Sequence, residues 1–150
     1  MNQARADIIK AFLKMKLRPV DADAHLNAGF KDWIIHQIYN CPAFALPDLK
    51  CPTVICGFLH AFGSCTAWMV TGEGFEKSAH RVLPMQQQLC KTMYAALNLH
   101  RMDIEIEAPR ADAAAWAERL GFEFEYCKKR GGTHAEDLLV YLWPDERGLS

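Results

Sequence analysis

The chain has 150 residues, 51% of them apolar, with four Trp, eight Phe and a formal net charge of −1. That length reads as one domain burying roughly 70% of the surface its unfolded form exposes, and that composition excludes disorder. Lysines and arginines are scattered among the acids, which excludes the one-sided basic footprint of a nucleic-acid binder.

Residues 1–10 carry charge and no apolar run, so no signal peptide is read there. Nowhere do about 18 apolar residues follow one another as a spanning helix requires. The six cysteines contain no C-x-x-C pair. They read as reduced thiols in a cytoplasmic setting with no metal site, the alternative being zinc at Cys51, Cys56 and His60.

From the start of the chain, Ile8, Ile9, Phe12 and Leu13 fall at helical spacing among charges, which predicts an amphipathic helix over 4–16 with one buried stripe. Pro19 ends it and makes residues 17–20 extended. Asp21 or Asp23 can cap the next helix, which presents Leu26, Phe30, Trp33, Ile34 and Ile38 on one face. Pro42, Pro47 and Pro52 mark an irregular connection holding a short strand. Residues 53–62 and 65–71 are apolar without clean alternation, as strands covered on both faces are.

A loop over 72–80 follows, and Pro84 suits the first position of a helix running to about Leu97. Residues 102–107 alternate strictly, Met102, Ile104 and Ile106 against Asp103, Glu105 and Glu107. Three acids on one strand face repel, so at least one should neighbour a Lys or Arg. A short helix follows Pro109 and ends at Gly121. Residues 122–127 and 138–143 form a closing hairpin around a solvated turn at 128–133. Trp68 and Trp116 are either core or the lining of an acyl pocket. The predicted class is α/β with a mixed central sheet.

The order over 66–126, strand, loop, long helix, charged strand, Ala-rich helix and Leu120-Gly121-Phe122, resembles the acyl-CoA-binding half of the GNAT acetyltransferase superfamily. The likeness extends over about 53–143. It implies a GNAT-like mixed central sheet flanked by helices in a single domain, with an extra N-terminal helix over 1–16. It also implies acetyl-CoA as cofactor and a small-molecule or protein amine as acceptor. Met69, Val70 and Thr71 would hold the pantetheine through backbone, and Ser78, Ala79, His80 and Arg81 the pyrophosphate. Glu73 or Glu107, each at a strand end, would take the amine proton, or else be a solvated terminus.

Two departures accompany the likeness. Gly72 and Gly74 stand at the strand end, with the helix expected ten residues on, so the pyrophosphate loop reads as degenerate. Ala117 occupies the position where the family often has a Tyr to protonate the leaving thiolate, and Arg110 replaces a frequent Asn. Within the superfamily, Trp68-Met69-Val70-Thr71-Gly72, Ala79-His80-Arg81 and Ala113-x-x-Trp116-x-x-x-Leu120-Gly121-Phe122 are similar to small GNAT-like proteins of tailed phages. Two readings follow. One is an acetyl-CoA-dependent N-acetyltransferase with weak or lost activity in a host cytoplasm. The other is a non-catalytic virion or assembly protein that binds phage structural proteins.

Overall fold

The computed structural model describes residues 3–19, 21 and 29–145. The elements run α1 (Arg5–Lys14), α2 (Phe30–Asn40), β1 (Ala43–Leu46), β2 (Val54–Ala61), β3 (Ser64–Thr71), α3 (Phe75–Ala96), β4 (Arg101–Glu107), α4 (Ala111–Leu120), β5 (Glu123–Lys128) and β6 (Leu138–Leu142). The strands form a six-stranded sheet in the order β1-β2-β3-β4-β6-β5. β1–β2, β4–β6 and β5–β6 are antiparallel and β3–β4 is parallel, so the sheet is mixed as its sequence pattern implied. No helix among the described residues is long and apolar enough to cross a membrane.

The chain divides into two compact units, Met1–Leu59 with Trp68–Gln86, and His60–Ala67 with Gln87–Ser150. In the first, Ile8 and Phe12 of α1 and Ile34 and Ile38 of α2 pack with Ala43, Ala45, Ile55 and Val70. Each helix contributes a pair four residues apart, which places both side chains over one face. Burying each of the four large side chains stabilises by about 1.5–3 kcal/mol. The stripe is narrower than its spacing suggested, because Leu13 and Trp33 are exposed. α1 ends at Lys14 because Met15 turns extended, and Leu17 then bridges Gly72 in antiparallel fashion. Asp21 does not cap α2, whose N-cap is Gly29 without a side-chain bond. Asp23 and Leu26 lie outside the described residues.

The long helix departs most from expectation. α3 begins at Phe75, and Pro84 sits inside it. Phe75, Val82 and Leu89 are buried seven apart, so the apolar stripe begins two turns before the proline. Pro84 removes the bond that His80 C=O would accept, which in a closed helix costs about 3 kcal/mol. Both residues are exposed, so that carbonyl meets water. The loop expected over 72–80 shrinks to Gly72-Glu73-Gly74.

In the second unit the ladder between β3 and β4 covers Ser64↔Arg101, Cys65↔Met102 and Thr66↔Asp103. β3 itself continues to Thr71 and β4 to Glu107. Met102 and Ile106 are buried as the alternation required. The acids opposite them find cations: Arg101 meets Asp103 at 3.0 Å and Glu125 at 2.7 Å, and Lys128 meets Glu105 at 3.7 Å. α4 closes at Gly121, whose φ of +117° suits glycine, and whose N–H reaches the Ala117 and Glu118 carbonyls. Trp116 is buried, which makes it core.

Candidate functional site

The three residues between β3 and α3 carry the local chemistry. Gly72 N–H donates to Thr53 C=O at 2.8 Å, and Glu73 N–H donates to Lys16 C=O at 2.8 Å. A Cβ on Gly72 would stand 2.5 Å from Met15 Cγ, so a larger residue would push the 15–17 segment off the strand. Gly74 takes φ +87° and turns the chain into α3. Phe75 and Ser78 N–H return to the Gly72 and Gly74 carbonyls at 3.2 Å. The N–H groups of Gly74, Glu76 and Lys77 meet no acceptor among the described residues. All three residues are exposed. Orphan amides at a helix start, with the positive end of its dipole, are a site for an anion.

The glycines counted against the loop therefore stand directly before the helix. The amides without acceptors belong to Gly74, Glu76 and Lys77, just ahead of Ser78, Ala79, His80 and Arg81. Those four lie in the first two turns of α3. Ser78 Oγ is held by Thr53 Oγ1 at 2.6 Å and by Phe75 C=O at 3.2 Å. His80 and Arg81 are exposed and reach solvent from the second turn.

The strand end is braced from far away in sequence. Arg18 N–H donates to Thr71 C=O at 3.0 Å, and Arg18 Nε donates to Thr71 Oγ1 at 2.6 Å. The Asp21 carboxylate, itself buried, accepts Thr71 N–H at 2.8 Å and the Thr71 hydroxyl in a short hydrogen bond. The Arg18 guanidinium lies 4.8 Å above the Phe75 ring and 3.8 Å from Glu76. Sequence reasoning passed over Arg18 and read Asp21 as a helix cap. No local signal marks them, because their bonds span about fifty positions of chain.

Of the pantetheine candidates, Thr71 has its N–H and C=O engaged by Asp21 and Arg18. Gly72 N–H bonds toward β2, so by the alternation of a strand Val70 faces β2 and Met69 shares the direction of Thr71. Met69 Sδ accepts from Gln86 Nε2 at 3.5 Å. Of the candidate bases, Glu73 is exposed and 3.3 Å from Lys16. Glu107 belongs to the second unit, where it ends β4 opposite Leu138 and its C=O accepts Arg110 N–H at 2.9 Å. Arg110 is itself engaged with Asp112 at 3.0 Å. Ala117 is buried and carries no acid. Burial pushes the Cys56 thiol up to about 12, which removes it as a nucleophile.

No family model and no curated protein sequence matches the chain. Solved structures do. A GNAT-family acetyltransferase from Bacillus anthracis is 13% identical, with a TM-score of 0.68 over 89% of each chain. A chimera of spermidine N-acetyltransferase SpeG from Vibrio cholerae with hSSAT is 13% identical, with a TM-score of 0.66 over 94% of this chain and 93% of that one. RimL, a ribosomal alpha-N-protein acetyltransferase in complex with coenzyme A, is 13% identical, with a TM-score of 0.67 over 93% and 89%. At such identity the likeness is one of fold, and the fold of this chain is that of GNAT acetyltransferases.

Proposed function

We propose that the chain is an acetyl-CoA-dependent N-acetyltransferase. The observation that carries this reading is the set of acceptor-less amides at Gly74, Glu76 and Lys77, directly after a left-handed glycine. They would hold the pyrophosphate, helped by the side chains of Lys77, His80 and Arg81. Met69 backbone would meet the pantetheine, with Val70 and Thr71 fixing the strand. A neutral amine attacks the thioester carbonyl, the C–S bond breaks, and the amine proton ends on the thiol of coenzyme A. Glu73 or Glu107 would relay that proton, since position 117 offers none. Relatives in fold whose names include spermidine and a ribosomal protein support an amine as acceptor.

One observation favours a second reading. The Arg18–Asp21 bonds take the Thr71 backbone groups that a pantetheine would otherwise meet. A chain locked so would be a protein-binding scaffold, the role that the short phage-like motifs suggest. Calorimetric titration with acetyl-CoA separates the two. Micromolar affinity, weakened by Lys77→Glu, supports the enzyme; no heat at millimolar ligand supports the scaffold.

A further inference from the structure

A cleft of about 700 Å³ opens in the first unit between α1, the two residues that follow it and the connection from β1 to β2. Its size is that of a small-molecule site. Ala11, which is buried, and Met15 and Leu49, which pack against the core of this unit, give it an apolar floor. Its charged lining is Lys10, Lys14, Lys16 and Lys50 against Asp7 and Glu73. The chain as a whole carries −1, yet these walls carry an excess of two positive charges. Lys16 has an acid within reach, Glu73 at 3.3 Å. The ammonium groups of Lys10, Lys14 and Lys50 meet no carboxylate and no other acceptor among the described residues. The helix dipole accounts for Lys14 in the last turn of α1, but not for Lys10 or Lys50. Lys50 is set by a turn that Cys51 N–H closes onto Asp48 Oδ1 at 2.8 Å. Folding thus gathers, from stretches far apart in sequence, cations that gain nothing from one another.

We propose that this cleft seats a phosphate monoester carried by the acyl acceptor, an inference that rests on the N-acetyltransferase reading. Such a group brings about −1.5 to −2 charge at neutral pH, which matches the excess on the walls. Its carbon body would lie on the apolar floor. Glu73, a candidate base, belongs to the same lining, so an amine elsewhere on that body can reach the carboxylate that would take its proton. Neighbouring ammonium groups also favour the neutral form of that amine, which is the form that attacks. The acceptor class is then a primary amine bearing a phosphate, and not a polyamine, which the same lysines would repel.

The full chain carries its own reporter, because Cys51 lines the cleft and is exposed. Alkylation of Cys51 by iodoacetamide, followed by mass spectrometry, should slow saturably with O-phosphotyramine and not with tyramine. Cys127, in the second unit, should react at an unchanged rate. Lys10→Gln and Lys50→Gln, at exposed positions that spare the core, should each weaken the protection by ~2- to 5-fold, the range of an exposed charge pair, and Lys10→Arg should retain it. In turnover, kcat/KM for O-phosphotyramine should exceed that for tyramine in the unmodified chain and fall toward it in Lys50→Gln. Equal protection by the two amines, or by neither, overturns the subsite. So does protection by acetyl-CoA alone, which would give the lysines to the cofactor, or equal protection by inorganic phosphate, which would leave the carbon body unread. Acetyl-CoA calorimetry is the separate arm. Affinity there with no protection by O-phosphotyramine sinks the subsite alone, whereas protection without acetyl-CoA affinity sinks the enzyme reading and leaves a phosphate site.

Discussion

At the start of α3 in the first unit, three exposed amides end without acceptors, whereas around β4, β5 and β6 in the second unit four carboxylates are matched by cations. Asp103 and Glu125 share Arg101, Glu105 faces Lys128, and Asp137 is held by Lys129 at 3.3 Å. Both regions are polar, yet only one has spent its bonding capacity internally. A fold of marginal stability satisfies polar groups where it can. The amides of Gly74, Glu76 and Lys77 are those any α-helix start leaves over, and they stand beside a strand end braced by Asp21 and Arg18.

That contrast is broken most forcefully at its brace. Asp21→Ala leaves the Thr71 N–H and hydroxyl buried without an acceptor. The loss should be about 2–3 kcal/mol, as for a hydrogen bond to a charged group, and should show as a lower urea midpoint at unchanged slope. A shift under about 0.5 kcal/mol would mean that the strand end holds without the 16–21 segment. The same variant sharpens the choice between enzyme and scaffold. If the Asp21 bonds block the pantetheine, acetyl-CoA binding should strengthen as stability falls; if they only brace the strand, both should decline together.

Gly74→Ala probes the amides themselves. Space is available around the new methyl group, whose nearest neighbour would be Thr53 Cγ2 at 3.6 Å, so the cost is conformational. Holding a residue with a Cβ near φ +87° costs about 1–2 kcal/mol. Part of that strain should be relieved by rotating the 74–77 amides, weakening acetyl-CoA roughly tenfold, which calorimetry reads directly. Stability lost without any change in affinity would remove these amides from the binding site.

Much of this was legible in the sequence, and the misses share a physical cause. The alternation at 102–107 and the Leu120-Gly121-Phe122 helix end are local patterns, and the structure keeps both. The start of α3 was misplaced because Pro84 is as good at a first helical position as it is bad inside a helix. The seven-residue spacing of Phe75, Val82 and Leu89 was the better guide, because burial outweighs the one bond that proline removes. Asp21 looked like a cap because Asp caps helices; only the folded chain brings Thr71 to it. The seat of Trp68 over Gly57, where a Cβ would stand 2.3 Å from Trp68 Cζ2, is equally silent in sequence, since a glycine inside a strand announces a close approach without naming what approaches.

The smallest effect comes from the satisfied side of the contrast. The Arg101 guanidinium beside it holds the Glu125 carboxyl below its ordinary value, hydrogen bonding being the main cause, and Glu125 in turn raises Arg101. The pair is about a third exposed, so Glu125→Gln should cost no more than about 1 kcal/mol near neutral pH. A depressed folded pKa makes that contribution fully present above the ordinary Glu value near 4.5 and lost as pH falls through the lower folded value. Urea midpoints of the unmodified chain and of Glu125→Gln should therefore differ at pH 7 and converge as acid protonates Glu125 below its ordinary value near 4.5. Molar salt should narrow the gap at pH 7, because a partly exposed pair is screened. A gap that survived both acid and salt would mean that the variant had disturbed the bulge between Phe124 and Tyr126 and not the ion pair, and the second unit would no longer serve as the electrostatically settled reference for the first.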